Sequence, residues 1–402
     1  MASTKRTIKT MVPLFFSILL LFVGNGLVVS SCSTLLKQMQ VSEIAIGLVN
    51  ACFFVGAMIS TIFSQSVIER TGHIRAFGVF TSIFGMCAIL HNLSSNLYFW
   101  AFLRIMLGFC YYGLLVVAES WLNERAKNTI RSRVLAFYEC VFYVGFASGI
   151  LILGLSLDTT SIFIVSAVFI LLSSIPLNLI RINPPKIRQK EPVSMPKIFS
   201  IVPLALVGSF VGGILMNGFF AMAGLFIMLQ NFGAREVSIF MTSAMFGGFV
   251  SQFFLGSFSD KFGRRPAIML VCLVSFFASV GFLFFHQNII AQYILSFFLG
   301  AGVLCLYALS LARANDVLEQ KSESIKVGRA LLFSYSFGSL LSAIIMGVMM
   351  SIFGAFGFVY VYIVLLGFLF LFAMFQDTVP QKYRKDYEPH VIRTYSIDKE
   401  DE

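Results

Sequence analysis

Two charged side chains stand inside otherwise apolar runs, Arg104 in LYFWAFLRIMLGF and Glu139 in VLAFYECVFYVG. A guanidinium presents a fork of N–H donors suited to a carboxylate or phosphate. A carboxylate withdrawn from water can take up and release a proton. At lipid depth each charge costs about 3 kcal/mol on insertion scales, so both are functional candidates by default. The competing reading is that Arg104 snorkels to the nearer interface, and that Glu139 does the same or pairs with a loop base. Asn25 and Asn217, each beside a glycine, place two amides in apolar runs. Such amides suit either contact with a solute or a hydrogen bond to a neighbouring helix. Catalytic constellations do not emerge: no H-E-x-x-H, G-x-S-x-G or phosphate-binding P-loop occurs. The cysteines at 32, 52, 87, 110, 140, 272 and 305 fall singly, with no C-x-x-C, and read as packing residues, not metal ligands or disulfides. No cofactor and no metal site is expected.

The elements that must position these residues are membrane spans. Of 402 residues, 58% are apolar and 12% charged, against about 25% charged in an ordinary soluble chain. A soluble enzyme is excluded. Counting apolar runs gives twelve segments, roughly 11–33, 45–68, 76–94, 97–120, 133–157, 160–181, 199–229, 236–258, 266–286, 290–312, 328–352 and 356–376, each near the ~20 residues that cross a bilayer. With the N-terminus inside, Lys37 and Arg235 are the basic residues left in outside loops, Arg104 lies within a span, and the other 26 of 29 face the cytoplasm. That asymmetry follows the positive-inside rule and puts both termini in the cytoplasm. The net charge of +10 is therefore topological and does not point to nucleic acid. His91 and His286 end spans 3 and 9 and are expected at the outer interface.

The proline-rich basic stretch from Arg181 to Pro196 separates six spans from six. The division expected is a first bundle at 1–181, a cytoplasmic linker at 182–198, a second bundle at 199–378 and a cytoplasmic tail at 379–402. The halves repeat at an offset near 191: Asn25 falls near Asn217, Gly56 on Gly247, Gly72 on Gly263, and the Gly108 region on Gly300. Two parallel six-helix bundles related by a pseudo-twofold axis can enclose a cavity that opens to alternate sides.

GSFSDKFGRR, from Gly256 to Arg265, resembles the loop motif of the major facilitator superfamily, and IERTGHIR after span 2 resembles a degraded copy. Arg104-x-x-x-Gly108 is similar to that family's span 4 motif. VVAES at 116–120, the Tyr138, Tyr143, Gly145 and Gly149 pattern and ALLFSYSFGSLL at 330–341 look like its YcaD-like branch. The resemblance implies an all-α integral membrane protein with the twelve-helix major facilitator fold. It implies that Gly256, Asp260, Lys261, Gly263, Arg264 and Arg265, with Glu69, Arg70, Gly72 and Arg75, close the cytoplasmic face when the cavity opens outward. Glu119, at the inner end of span 4, either pairs with Arg70 or Arg75 across that gate or is a helix-end carboxylate in the headgroup region.

Two functions from different classes fit a polytopic chain. The first is a secondary active transporter of a small solute, monomeric in lipid, located in the cytoplasmic membrane and coupled to a proton. Its substrate and coupling candidates are Arg104, Glu139, Asn25 and Asn217. The second is a membrane enzyme or assembly protein without transport activity. The twofold repeat, the loop motif and the sparse buried charges favour the first, since an enzyme needs a cluster of nucleophile, base or ligands that is not seen here.

Overall fold

The computed structural model describes residues 2–125, 131–155, 157–179, 202–317 and 321–378. Twelve helices are long and apolar enough to cross a membrane, numbered spans 1 to 12 in chain order: Met11–Gln38, Glu43–Thr71, His73–Leu93, Leu97–Leu122, Val134–Leu153, Thr159–Asn178, Pro203–Met228, Ala234–Phe262, Arg264–Phe284, Ile289–Val317, Val327–Phe353 and Phe356–Met374. Helix is what a lipid-embedded backbone requires, because each N–H and C=O must find its partner within the segment. The expected linker at 182–198 and tail at 379–402 lie outside the described residues.

Span ends differ from those expected where polar residues hide in helix. Span 1 runs on to Gln38, its later polar positions accommodated because Ser30, Ser31 and Thr34 return their hydroxyls to the preceding turn, as Thr34 Oγ1 does to the Ser31 carbonyl at 2.6 Å and Ser30 Oγ to that of Gly26 at 2.7 Å. Span 5 stops at Leu153, where the Gly154 N–H turns back to the Leu151 carbonyl at 3.0 Å. Span 6 breaks between Leu172 and Ser174, close to Pro176, which has no N–H to give. Span 10 breaks between Val303 and Leu306, where the Cys305 N–H bonds the Gly302 carbonyl at 3.2 Å in a tightened turn.

The repeat is written into the backbone. Gln40 and Asn231 both take left-handed conformations, with φ of 60° and 65°, after spans 1 and 7. At both places the next N–H reaches back five residues, Val41 to Leu36 and Phe232 to Ile227, closing the helix in the same way. Gly72 and Gly263, at φ 80° and 104°, turn the chain from span 2 to 3 and from span 8 to 9. A side chain is disfavoured at such angles. Within each half, spans 2 and 4, or 8 and 10, touch backbone to backbone: a methyl group on Gly56 or Gly108 would overlap the Ile105 or Phe53 carbonyl, and one on Gly247 or Gly300 the Phe297 or Ala244 carbonyl.

An even number of crossings leaves both ends of the chain on one face, the terminal face, with the loop between spans 1 and 2 on the opposite, far face. Glycines that touch the opposite half lie toward the far face. Gly47 of span 2 abuts the Ala343 carbonyl and Gly347 of span 11, and Gly347 in turn meets the Glu43 carbonyl. Gly224 of span 7 packs on Ser33 and Thr34 of span 1, and Gly154 beyond span 5 on Ser238 of span 8.

Candidate functional site

Arg104 is 2% exposed, so it does not snorkel. Its Nη2 donates to Asn50 Oδ1 at 2.9 Å, and its guanidinium lies 5.1 Å from the centroid of the Phe53 ring, both on span 2. Its charge reaches Cys32, Cys52 and His91. Among the described residues its Nε and Nη1 find no acceptor. The arginine therefore belongs to a packet of spans 1 to 4, where helices 2 and 4 approach through Gly56 and Gly108.

Glu139 is 5% exposed and faces a different way. Its charge acts on Cys140 and on Cys305, the latter at the break in span 10 of the other half. One turn further along span 5, the Tyr143 hydroxyl accepts a hydrogen bond from Gln252 Nε2 of span 8 at 2.8 Å. Glu139 thus stands at the plane dividing the halves. The neighbours found for Arg104 lie on spans 1 to 3, whereas those found for Glu139 include Cys305 of span 10.

The two asparagines diverge. Asn217 Nδ2 donates to the Tyr335 hydroxyl at 2.8 Å, to Ser339 Oγ at 2.7 Å and to the Gly213 carbonyl at 3.3 Å, tying span 7 to span 11. The Tyr335 hydroxyl passes its own hydrogen to Met216 Sδ at 3.2 Å. Asn25, 2% exposed, lies within reach of the Tyr111 hydroxyl of span 4, and its Oδ1 has no donor among the described residues. Tyr111 and Tyr112 lie within electrostatic reach of Tyr335 across the dividing plane, and Tyr335 packs on Tyr307 at 4.7 Å between centroids. The centre of the molecule is therefore lined by tyrosines from both halves. RVLAFY from Arg133 matches RALLFS from Arg329. In that register Glu139 occupies the place that Tyr335 holds in the second half.

On the terminal face the two copies of the loop motif are built differently. In the second, Arg264 Nε donates to Asp316 Oδ2 at 3.2 Å, and its Nη1 donates to Ser259 Oγ and Asp260 Oδ1, both at 2.5 Å. The Arg264 and Asp316 side chains are each 1% exposed, whereas Asp260 is 39% exposed. Arg265 caps the end of span 12, donating from Nε to the Ala373 carbonyl at 2.9 Å and from Nη2 to the Met374 carbonyl at 2.7 Å. Helix-end carbonyls have no partner within the helix, and a cation there meets the negative end of the dipole. Lys261 lies 5.4 Å from the Phe262 centroid. Gly256 is buried in span 8.

The first copy lacks this arginine hub. His73 takes the place of Arg264, buried against Trp121 at 6.2 Å between centroids. Glu69, Arg70 and Arg75 are exposed, Glu69 accepting from Gln65 Nε2 at 2.9 Å. Glu119, three residues from the inner end of span 4, is 4% exposed and its charge acts on Tyr111 and Tyr112. His91 closes span 3, 3% exposed, stacked on Phe163 at 4.9 Å and set edge-on to Trp100 at 4.9 Å. His286 is half-buried, edge-on to Phe356.

Asn50, Tyr111, Tyr335, Ser339 and Gln252 were not singled out by the sequence. The available signal was a polar side chain isolated in an apolar run, which does not say which way it points.

Comparison with known proteins places this architecture. The sequence profile of the Major Facilitator Superfamily matches residues 14–235 and 205–396. The chain is 27% identical over 312 residues to YcaD of Escherichia coli O17:K52:H18, described as an uncharacterized MFS-type transporter, covering 76% of this chain and 80% of that one. It is 25% identical over 299 residues to YcaD of Escherichia fergusonii, covering 74% and 77%. Among solved structures, a bacterial homologue of the human lysosomal transporter Spinster, inward-facing and unoccupied, superposes with a TM-score of 0.73 at 13% identity, covering 91% of this chain and 95% of that one. The nucleoside transporter NupG superposes with a TM-score of 0.74 at 11% identity, covering 90% and 97%.

Proposed function

Because this chain belongs to the major facilitator superfamily, and so is a multi-pass membrane transporter, we propose that it carries a small solute across the cytoplasmic membrane by alternating access, driven by the proton gradient. The observation that carries this reading is Glu139: a buried acid at the plane between two repeated halves, within electrostatic reach of Cys305 of the opposite half. A carboxylate there changes its solvation when the halves rock, so its proton can be exchanged on one side and retained on the other.

The solute is anchored by Arg104, whose guanidinium suits an anionic group. Asn25 lines the same site. Asn217 acts by fixing Tyr335. The positive-inside distribution makes the terminal face cytoplasmic, so the tight packing of Gly47, Gly224 and Gly347 on the far face corresponds to a conformation closed to the outside. The loop motif would then engage across the halves in the opposite conformation. In the present one Arg264 and Arg265 are held within the second half.

The test begins with thermal-shift screening of the purified chain against a metabolite library, since a ligand of the folded state raises its stability. Vesicle uptake of the hits follows. Accumulation should collapse with a protonophore. Glu139→Gln should lose accumulation driven by a pH gradient yet keep solute counterflow, while Arg104→Ala should lose binding. Gradient-driven uptake by Glu139→Gln at the wild-type level would remove Glu139 from the mechanism.

A further inference from the structure

Two buried polar groups in the first half lack partners in opposite senses. The Arg104 Nε and Nη1 groups have hydrogens and no acceptor, and the Asn25 Oδ1 has lone pairs and no donor, among the described residues. Each side chain is 2% exposed, so bulk water does not satisfy either. A buried polar atom left in this way is costly, and most such atoms in folded proteins are paired. One molecule supplying an acceptor at one end and a donor at the other would complete both.

Aromatic rings join the two positions. Phe53 lies beneath the guanidinium at 5.1 Å, and its ring centroid is 6.0 Å from Tyr111 and 6.4 Å from Tyr112. Tyr111 is also the residue whose hydroxyl the Asn25 amide approaches. Arg104 and Tyr111 are seven residues apart on one helix, nearly two full turns, so they share a face and differ by about 10 Å in rise. The guanidinium is cationic, and its charge reaches Cys32, Cys52 and His91, while Glu119 acts on Tyr111 and Tyr112 at the other end of the ring cluster. The guanidinium therefore favours an anion and opposes a cation, while the ring faces between favour an aromatic body.

We propose that the solute, on the transport reading above, is a hydroxyaryl carboxylic acid. Its carboxylate sits on Arg104, its ring lies against Phe53, Tyr111 and Tyr112, and its hydroxyl donates to Asn25 Oδ1. The side chains are sealed from the surface in this conformation, so entry needs the halves to part.

The test is isothermal titration of the purified full chain with three probes of similar size: para-hydroxyphenylpropionate, phenylpropionate and tyramine. The hydroxy acid should bind, the acid without hydroxyl about tenfold more weakly, as for one lost hydrogen bond, and tyramine should not bind at millimolar concentration. In Asn25→Ala the gap between the two acids should close, and Arg104→Lys should weaken both. Tyramine binding as tightly as the hydroxy acid, an undiminished gap in Asn25→Ala, or no binding of either acid overturns the proposal. If a variant fails to fold, the ranking of the three probes on the unaltered chain decides alone. Uptake separates the two readings. Binding of the hydroxy acid without gradient-driven uptake supports the site and counts against transport; gradient-driven uptake of another solute with neither acid bound sinks the site and leaves transport standing.

Discussion

Tyr143 and Gln252 join the two halves near mid-membrane, the amide of one half donating to the phenol of the other at 2.8 Å. Ring packing of Tyr143 on Phe249 at 5.8 Å and of Phe146 on Phe220 at 4.8 Å surrounds the bond. It lies a turn from Glu139, so whatever parts the halves must break it in the neighbourhood of the acid.

Tyr143→Phe removes that hydrogen bond and keeps the ring. A neutral hydrogen bond is worth about 1 kcal/mol net, so the population closed on the far face should fall about fivefold relative to the alternative. Spin labels at the exposed Ser95 and Gln287, on far-face loops of opposite halves, would report the shift as a longer distance component. An unchanged distance distribution would show that the bond does not bias the equilibrium.

Arg264 and Asp316 form an ion pair with both side chains 1% exposed. Removing one member of a buried pair costs about 3–5 kcal/mol when the other is left uncompensated, less where, as for Arg264, Ser259 and Asp260 still accept from it, whereas replacing both with apolar residues of similar size is often close to neutral. Asp316→Leu should therefore lower the thermal midpoint, and adding Arg264→Met should restore much of the loss. Melting curves of the single and double variants in one detergent measure it. Equal losses in both would assign the stability to Ser259 and Asp260 contacts instead.

Asp260 is the exposed member of the same hub, so its role can be separated from folding. Asp260→Asn leaves the Arg264 to Asp316 pair in place, and should keep membrane abundance while slowing transport by at least about tenfold, equivalent to 1.4 kcal/mol on a single step. Gly263→Val should also slow transport, because φ of 104° is not open to a β-branched residue. Wild-type uptake in both would leave the motif a topological device only.

Orientation is checked without any substrate. A reporter active only in the cytoplasm, fused after Lys190 or Glu402, should be active, and one inserted at Gln38 should be silent. The paired state of Lys37, 2.8 Å from Glu43, fits a basic residue tolerated on the far face. The reverse pattern of activity would invert the assignment of faces.

The span count and the repeat were legible because each rests on many residues: long apolar runs, loop charges, and glycines recurring at one offset. The repeat even forecast the match of Gly72 with Gly263, both left-handed in the structure. Direction was not legible. Asn217 is spent on Tyr335 and Ser339 while Asn25 keeps an unmet carbonyl, although the two sit at matching points of the repeat. Helical periodicity cannot resolve such a difference in a span that is apolar on every side, because packing against neighbours decides it. Arg265 likewise reads as a gate residue by motif, yet its partners are carbonyls 108 and 109 residues away.

The far-face closure offers the sharpest mechanical test. Gly47 and Gly347 let spans 2 and 11 of opposite halves meet at backbone distance, and a side chain on Gly347 would press on the Glu43 carbonyl and the Gly47 α-carbon. These are backbone atoms that cannot rotate away, so the halves themselves must separate. Overpacking of this kind costs about 1–3 kcal/mol when the structure cannot yield. Here it can yield along the path of alternating access. Gly347→Leu should therefore leave the chain folded, with a thermal midpoint near that of the wild type, while widening the distance between labels at Ser95 and Gln287 and lowering uptake by at least about tenfold. Gly108→Leu, which wedges spans 2 and 4 within one half, should instead lower the thermal midpoint and reduce membrane abundance. A Gly347→Leu chain that melts as early as Gly108→Leu, with no change in label distance, would show that spans 2 and 11 form a fixed seam and not the moving closure.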